Sequence, residues 1–169
     1  VLEFPYLGER IGIPARAGAS KLDINSELNL KGIPVVALAG TCMDSGKTAA
    51  ACAIVGRLRH LGLKVAACKA AGVSLRRDVL AMEDAGAKYT MIFSDLGIVT
   101  TTSKNGPALA RSLLTSMSEK KPDVIVLELG DGLLGTYGVE AILADKKIKE
   151  SLTAVVLCAN DPVSAWGGA

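Results

Sequence analysis

The sequence predicts an α/β fold in three layers, a mostly parallel sheet of about five or more strands flanked by helices. Two observations carry this. Residues 33–158 alternate short apolar runs with longer stretches of helical period, the pattern of parallel strands joined by crossover helices. The first run, Ile33-Pro34-Val35-Val36-Ala37-Leu38-Ala39, is apolar at every position, as a strand covered on both faces must be. It enters a glycine-rich loop directly.

The elements follow in order. After the loop, Ala51, Ile54, Val55, Leu58 and Leu61 recur at helical spacing and face inward, with Gly62 as the stop. Lys64–Cys68 reads as the second strand. Asp78 is placed to cap a short helix carrying Val79, Met82 and Ala85, which ends at Gly86. Tyr89–Phe93 is the third apolar run. Pro107 suits the first turn of a helix with Ala110, Leu113, Leu114 and Met117 inward, closed by Lys120 and Lys121. Asp123–Leu129 is rich in β-branched residues and reads as the fourth strand. One helix around Val139, Ile142 and Leu143 follows, with Lys146, Lys147 and Lys149 in its last turn. Leu152–Cys158 is the last strand, and Asp161-Pro162 has the form of an N-cap followed by a first-turn proline.

Composition narrows the function classes. A chain of 169 residues with only 21% charged residues can bury a proper core. A net charge of +2 gives no electrostatic footprint for nucleic acid or an anionic membrane. No apolar run approaches a membrane span, and the stretch around Arg10 and Arg16 holds no secretory core. Cys42, Cys52, Cys68 and Cys158 fall inside expected core elements without paired metal spacing and read as reduced, buried thiols of a cytoplasmic protein. His60 is the single histidine, which argues against zinc and against a Ser-His triad. Residues 1–32 show no sustained period and read as a lead-in arm or the remnant of an upstream domain, ahead of a functional domain over 33–169. The start at Val1 and the Gly-Gly-Ala end read as a fragment of a longer polypeptide.

The chemistry concentrates at Gly40-Thr41-Cys42-Met43-Asp44-Ser45-Gly46-Lys47-Thr48. A P-loop needs glycines so that backbone N–H groups can turn inward around phosphate oxygens. It needs a lysine for the β- and γ-phosphates and a Ser/Thr hydroxyl for Mg²⁺. It must also open a helix, whose N-terminal dipole favours an anion. Strand, loop and helix fall here in that register, so Gly40, Thr41, Asp44, Ser45, Gly46, Lys47, Thr48 and Ala49 form the expected nucleotide site. Five residues separate the two glycines where four are usual, with Thr41 at the expected first-glycine position.

That spacing, with Asp44 inside it, resembles the loop of dethiobiotin synthetase and its relatives of the cobyrinic acid amidase type, within the broad SIMIBI class of P-loop proteins. The family has a second lysine ending the next strand before a glycine-containing loop, and Lys69 in Cys68-Lys69-Ala70-Ala71-Gly72 is similar. Its magnesium-binding aspartate opens the next helix, and Leu75-Arg76-Arg77-Asp78 looks like that segment. Its later strand ends in a glutamate ahead of glycines, as does Glu128-Leu129-Gly130-Asp131-Gly132. The family's Glu-Gly-Ala-Gly-Gly stretch is altered here, which points away from dethiobiotin synthesis itself. The resemblance covers roughly residues 33–165. It implies ATP or another nucleoside triphosphate as ligand, Mg²⁺ as cofactor, and Lys47 and Lys69 as catalytic cations.

The residues support this reading independently. Thr48, Asp78 and Glu128 would project from strand ends and helix starts beside the loop, where open α/β sheets bind ligands, and a magnesium ion holding phosphates needs only a few protein oxygens. Other roles stay open: a structural ion pair for Glu128 with Asp131 as the competing ligand, a plain helix cap for Asp78, a surface position for Lys69. Arg76 and Arg77 could clamp an anion or be solvated. Thr100–Ser103 reads as turn chemistry, and Asn160-Asp161 as a cap rather than a base reader.

The expected function is an ATP-dependent ligase or NTPase acting on a carboxylate-bearing, anionic small molecule. The alternative is a nucleotide-switched regulatory or cofactor-biosynthesis accessory protein, able to form a homodimer. Partition and septum-placing ATPases of similar fold carry a lysine five residues before the P-loop lysine, where this chain has Cys42.

Overall fold

The computed structural model describes residues 27–169. Five strands form one parallel sheet: β1 (Val35–Gly40), β2 (Val65–Ala71), β3 (Tyr89–Ile92), β4 (Val124–Leu129) and β5 (Leu152–Cys158), in the order β3-β2-β4-β1-β5. The helices are α1 (Lys47–His60), α2 (Arg76–Asp84), α3 (Gly106–Glu119), α4 (Val139–Ala144), α5 (Lys146–Ser151) and α6 (Pro162–Gly168). A 3₁₀ turn, Phe93–Leu96, follows β3.

Handedness decides where the helices lie. The chain runs leftward along this order from β1 to β2 to β3, then rightward from β3 to β4 to β5. Right-handed crossovers therefore place α1 and α2 on one face and α3, α4 and α5 on the other. The packing agrees: α1 lies on α2, and α3 lies on α4 and α5. Every residue of β2 and β4 is buried, whereas the middle of β5 is exposed. Leu38, Ile125, Leu127, Leu109, Leu113, Leu114 and Ile142 are among the fully buried core side chains. Small residues at Ala66, Ala67, Ala70 and Ala71 let helices approach β2 closely.

Four expectations are corrected. Leu61 is exposed, because it is the C-cap of α1 rather than a residue of its inner stripe. β2 extends three residues past Cys68, since pairing with β4 continues to Ala71 opposite Leu129. Lys69 therefore lies inside the strand and is buried. Asp78 is not the cap of α2; Leu75 holds that position in extended conformation and Asp78 sits within the first turn. The single helix expected over 139–149 is two, because Asp145 breaks it in β conformation and accepts the Ile148 N–H as N-cap of α5.

The lead-in arm lies largely outside the described residues. Of its described part, Leu30 packs into the core and the Asn29 carbonyl accepts the Ser118 hydroxyl.

Candidate functional site

Two adjacent strands, β1 and β4, send their following segments to opposite faces of the sheet. Between their carboxyl ends the loops diverge and leave a crevice, the position at which open α/β sheets take ligands. A cleft of about 630 Å³ lies there. Its phosphate-loop side is lined by Asp44, Gly46, Lys47, Thr48 and Ala49, and the opposite side by Lys69, Val73, Leu75, Arg77, Asp78, Glu128 and Asp131.

The loop leaves β1 at Gly40, and Gly46 immediately precedes α1 with φ 87°, a left-handed conformation that glycine adopts without steric cost. No side chain caps α1, so the first-turn N–H groups and the helix dipole face the cleft. Lys47 is buried; its Nζ donates to the Cys42 carbonyl at 2.8 Å and to Ser45 Oγ at 3.3 Å. Asp44 has φ 57° and is exposed. Thr41 anchors the loop by donating its N–H to the Cys158 carbonyl.

Strand register assembles the remaining charges. Glu128 of β4 lies opposite Leu38 of β1 and opposite Lys69 of β2. The Thr48 hydroxyl donates to Glu128 Oε1 at 3.0 Å, while Oε2 is buried without a hydrogen-bond partner. Burial pushes the Glu128 carboxyl above its ordinary range; Lys69, the Thr48 hydrogen bond and Lys47 oppose this, and Asp78 adds to it. Lys69 is ion-paired with Asp78, whose other oxygen is 3.6 Å from Arg77 Nε.

The structure thus brings Thr48, Lys69, Asp78 and Glu128 together around the start of α1. Lys69 is a buried partner of Asp78 rather than a surface lysine. Asp131 lines the cleft, with φ 70°. Arg76 pairs with Asp95 away from these residues, and Asp161 caps α6 by accepting the Ser164 N–H. The reading of Thr100–Ser103 as turn residues holds for Thr102, whose N–H donates to Asn105 Oδ1. It misses Thr101, which is 1% exposed and joins two loops. A threonine run gives no local signal for which hydroxyl turns inward.

A magnesium ion fits these residues. A lone buried carboxylate oxygen beside a helix-start hydroxyl is costly unless something cationic completes it. Among the described residues no group of three or more His, Cys, Asp or Glu side chains could hold a metal by itself. Thr48 and Glu128 would supply one or two oxygens to such an ion, and a phosphate ligand others.

No protein-family model and no curated protein matches the chain. Among solved structures it is similar to the signal recognition particle receptor FtsY from Elizabethkingia anophelis in complex with GDP, at 15% identity and TM-score 0.54, covering 80% of this chain and 42% of that one. It is also similar to cell division protein FtsY from Thermotoga maritima, at 15% identity and TM-score 0.49 over 88% of this chain and 51% of that one. The Signal Recognition Particle 54 kDa protein from Aeropyrum pernix in complex with GDP aligns at 17% identity and TM-score 0.48, over 84% and 31%. The chain spans about half or less of these proteins. The architecture is that of P-loop NTPases, a five-stranded parallel sheet flanked by helices. No described helix is long and apolar enough to cross a membrane.

Proposed function

We propose that this chain binds a nucleoside triphosphate with Mg²⁺ at residues 40–49, and hydrolyses it or transfers its terminal phosphate to a carboxylate-bearing small molecule. ATP is the nucleotide favoured by the resemblance of the loop to dethiobiotin synthetase-type proteins. The observation that carries the proposal is the buried Glu128, bonded through one oxygen to Thr48 at the start of α1 and holding the other without a partner.

The loop N–H groups and the α1 dipole cradle the phosphates. Lys47 exchanges its contacts with Cys42 and Ser45 for phosphate oxygens, so the loop's own acceptors keep the ammonium in place beforehand. Thr48 and Glu128 would hold the Mg²⁺, with Asp78 as the second candidate carboxylate. The ion would neutralise charge developing on the phosphoryl oxygens. Lys69, held by Asp78 next to Glu128, supplies a second fixed cation at the acceptor side. Arg77, exposed and bordering the cleft beside Val73 and Leu75, suits the carboxylate of a second substrate with an apolar body. Catalysis of this kind is mostly positioning and electrostatics and requires no dedicated base.

Lys47→Ala removes a buried cation from its anionic ligand. Nucleotide affinity should fall roughly 10²-fold with the circular dichroism spectrum unchanged. Calorimetry with Mg²⁺ and either ATP or GTP reads this directly, and equal affinity of variant and parent for both would refute the proposal.

A further inference from the structure

We infer that Thr101 is a positioning residue, a hydroxyl clasp that fixes the β2–α2 loop, and with it Arg77 and Asp78 at the start of α2, relative to the phosphate loop. The inference rests on the nucleotide reading above for its functional consequence, though not for its geometry.

Thr101 lies between β3 and α3, outside every strand and helix, yet only 1% of it is exposed. Its hydroxyl accepts the Gly72 N–H at 3.1 Å and donates to the Tyr137 carbonyl at 2.8 Å. One side chain therefore joins three connections, those after β2, β3 and β4. Each end is reinforced. Val73 and Thr100 form an antiparallel bridge. Gly72 has φ 99° and presses on the backbone of Gly130, where a Cβ would stand 3.1 Å from its Cα. Such a contact locks the β2–α2 loop against the β4–α4 loop only while Gly72 is held down.

The same β4–α4 loop touches the phosphate loop: the Leu133 N–H donates to the Gly40 carbonyl. A continuous route of backbone and hydrogen bonds thus runs from Gly40 through Leu133 and Tyr137 to the Thr101 hydroxyl and Gly72. Beyond Gly72 lie Val73 and Leu75, which border the cleft, and the first turn of α2 with Arg77 and Asp78. The core strands stay paired whatever Thr101 does. What the clasp sets is the far wall of the cleft.

Amide exchange separates this role from plain stabilisation. In the ligand-free protein, Thr101→Val should speed exchange of the Gly72 amide by about tenfold, the loss of one buried hydrogen bond, while amides of β1 and β4 keep their rates. Thr101→Ser, which retains the hydroxyl, should behave as the parent; Thr101→Ala replaces the valine variant if that one does not fold. With Mg²⁺ and a non-hydrolysable ATP analogue, the parent should show further slowing across residues 72–78. The valine variant should bind the analogue with a Kd within about threefold of the parent and show no such slowing. Unchanged Gly72 exchange in the valine variant overturns the clasp. So does slowing across 72–78 that survives the substitution, a serine variant that behaves like valine, or affinity and slowing lost together. If the parent binds no nucleotide at all, the proposed function fails, and the Gly72 amide of the free protein still decides the clasp.

Discussion

Among the described residues two acid–base pairs are withdrawn from solvent, on opposite faces of the sheet, and they are buried to similar degrees. Arg111 and Asp145 join α3 to the α4–α5 junction, with side chains 8% and 16% exposed. Lys69 and Asp78 join β2 to α2, at 5% and 12%. Burial alone does not distinguish them. Satisfaction does. Asp145 gives one oxygen to Arg111 and the other to the Ile148 N–H, closing the N-terminus of α5. The Lys69–Asp78 pair instead stands beside Glu128, a second carboxylate with one oxygen left over, in a cleft that ends at an uncapped helix start. A pair that ties helices together is architecture, whereas a pair beside a spare carboxylate oxygen in a cleft is half of a site.

Breaking the Arg111–Asp145 pair should produce the largest stability change. Asp145→Ala removes both a carboxylate that pairs with Arg111 and the α5 cap, so urea denaturation should show a loss of about 3–5 kcal/mol. Nucleotide affinity should be unaltered; a matching loss of affinity would erase the contrast between the two faces.

Lys69→Met should cost less, about 2 kcal/mol against that same range for a buried charge left alone, because Arg77 remains 3.6 Å from Asp78. It should also push the Glu128 carboxyl further up, since the Lys69 charge opposes the effect of burial there. An NMR titration of the Glu128 carboxyl carbon reads this, and a downward or absent shift would separate Lys69 from the site.

Glu128→Gln is the smallest perturbation and has the opposite sign. The folded carboxyl is held above its ordinary value of 4.5, so its contribution to stability is full below that value and is lost as pH rises through the folded one. In metal-free protein, the glutamine variant should therefore match the parent at low pH and exceed it at neutral pH. Denaturation midpoints measured in chelator across that range test the sign, and a parent that gains on the variant as pH rises would show Glu128 to be already compensated.

Much of this architecture was legible in the sequence, for reasons that differ between elements. The continuous apolar run of β1 read as a strand covered on both faces, and all of its residues but Val36 are buried; the β-branched run of β4 read as a strand and is buried throughout. The phosphate loop was legible because its chemistry is local: glycine, lysine and hydroxyl must follow one another within a single turn. Helix ends were less so. Asp145 splits one expected helix in two by competing for a backbone N–H, and Asp78 is drawn from the cap role by a lysine that is nine residues away in sequence and comes from β2.

By itself the sequence determined the order of strands and helices, the parallel sheet and the loop at 40–48, since periodicity and adjacent residues encode these. Tertiary structure alone decided which charges meet. β4 inserts between β1 and β2, so Glu128 reaches Thr48 across 80 residues and keeps its other oxygen buried without a partner. Thr101, likewise, became a clasp only when three loops converged on it. Local pattern fixes which face a residue presents, but its neighbour across the sheet depends on crossover direction, and that is a property of the whole chain.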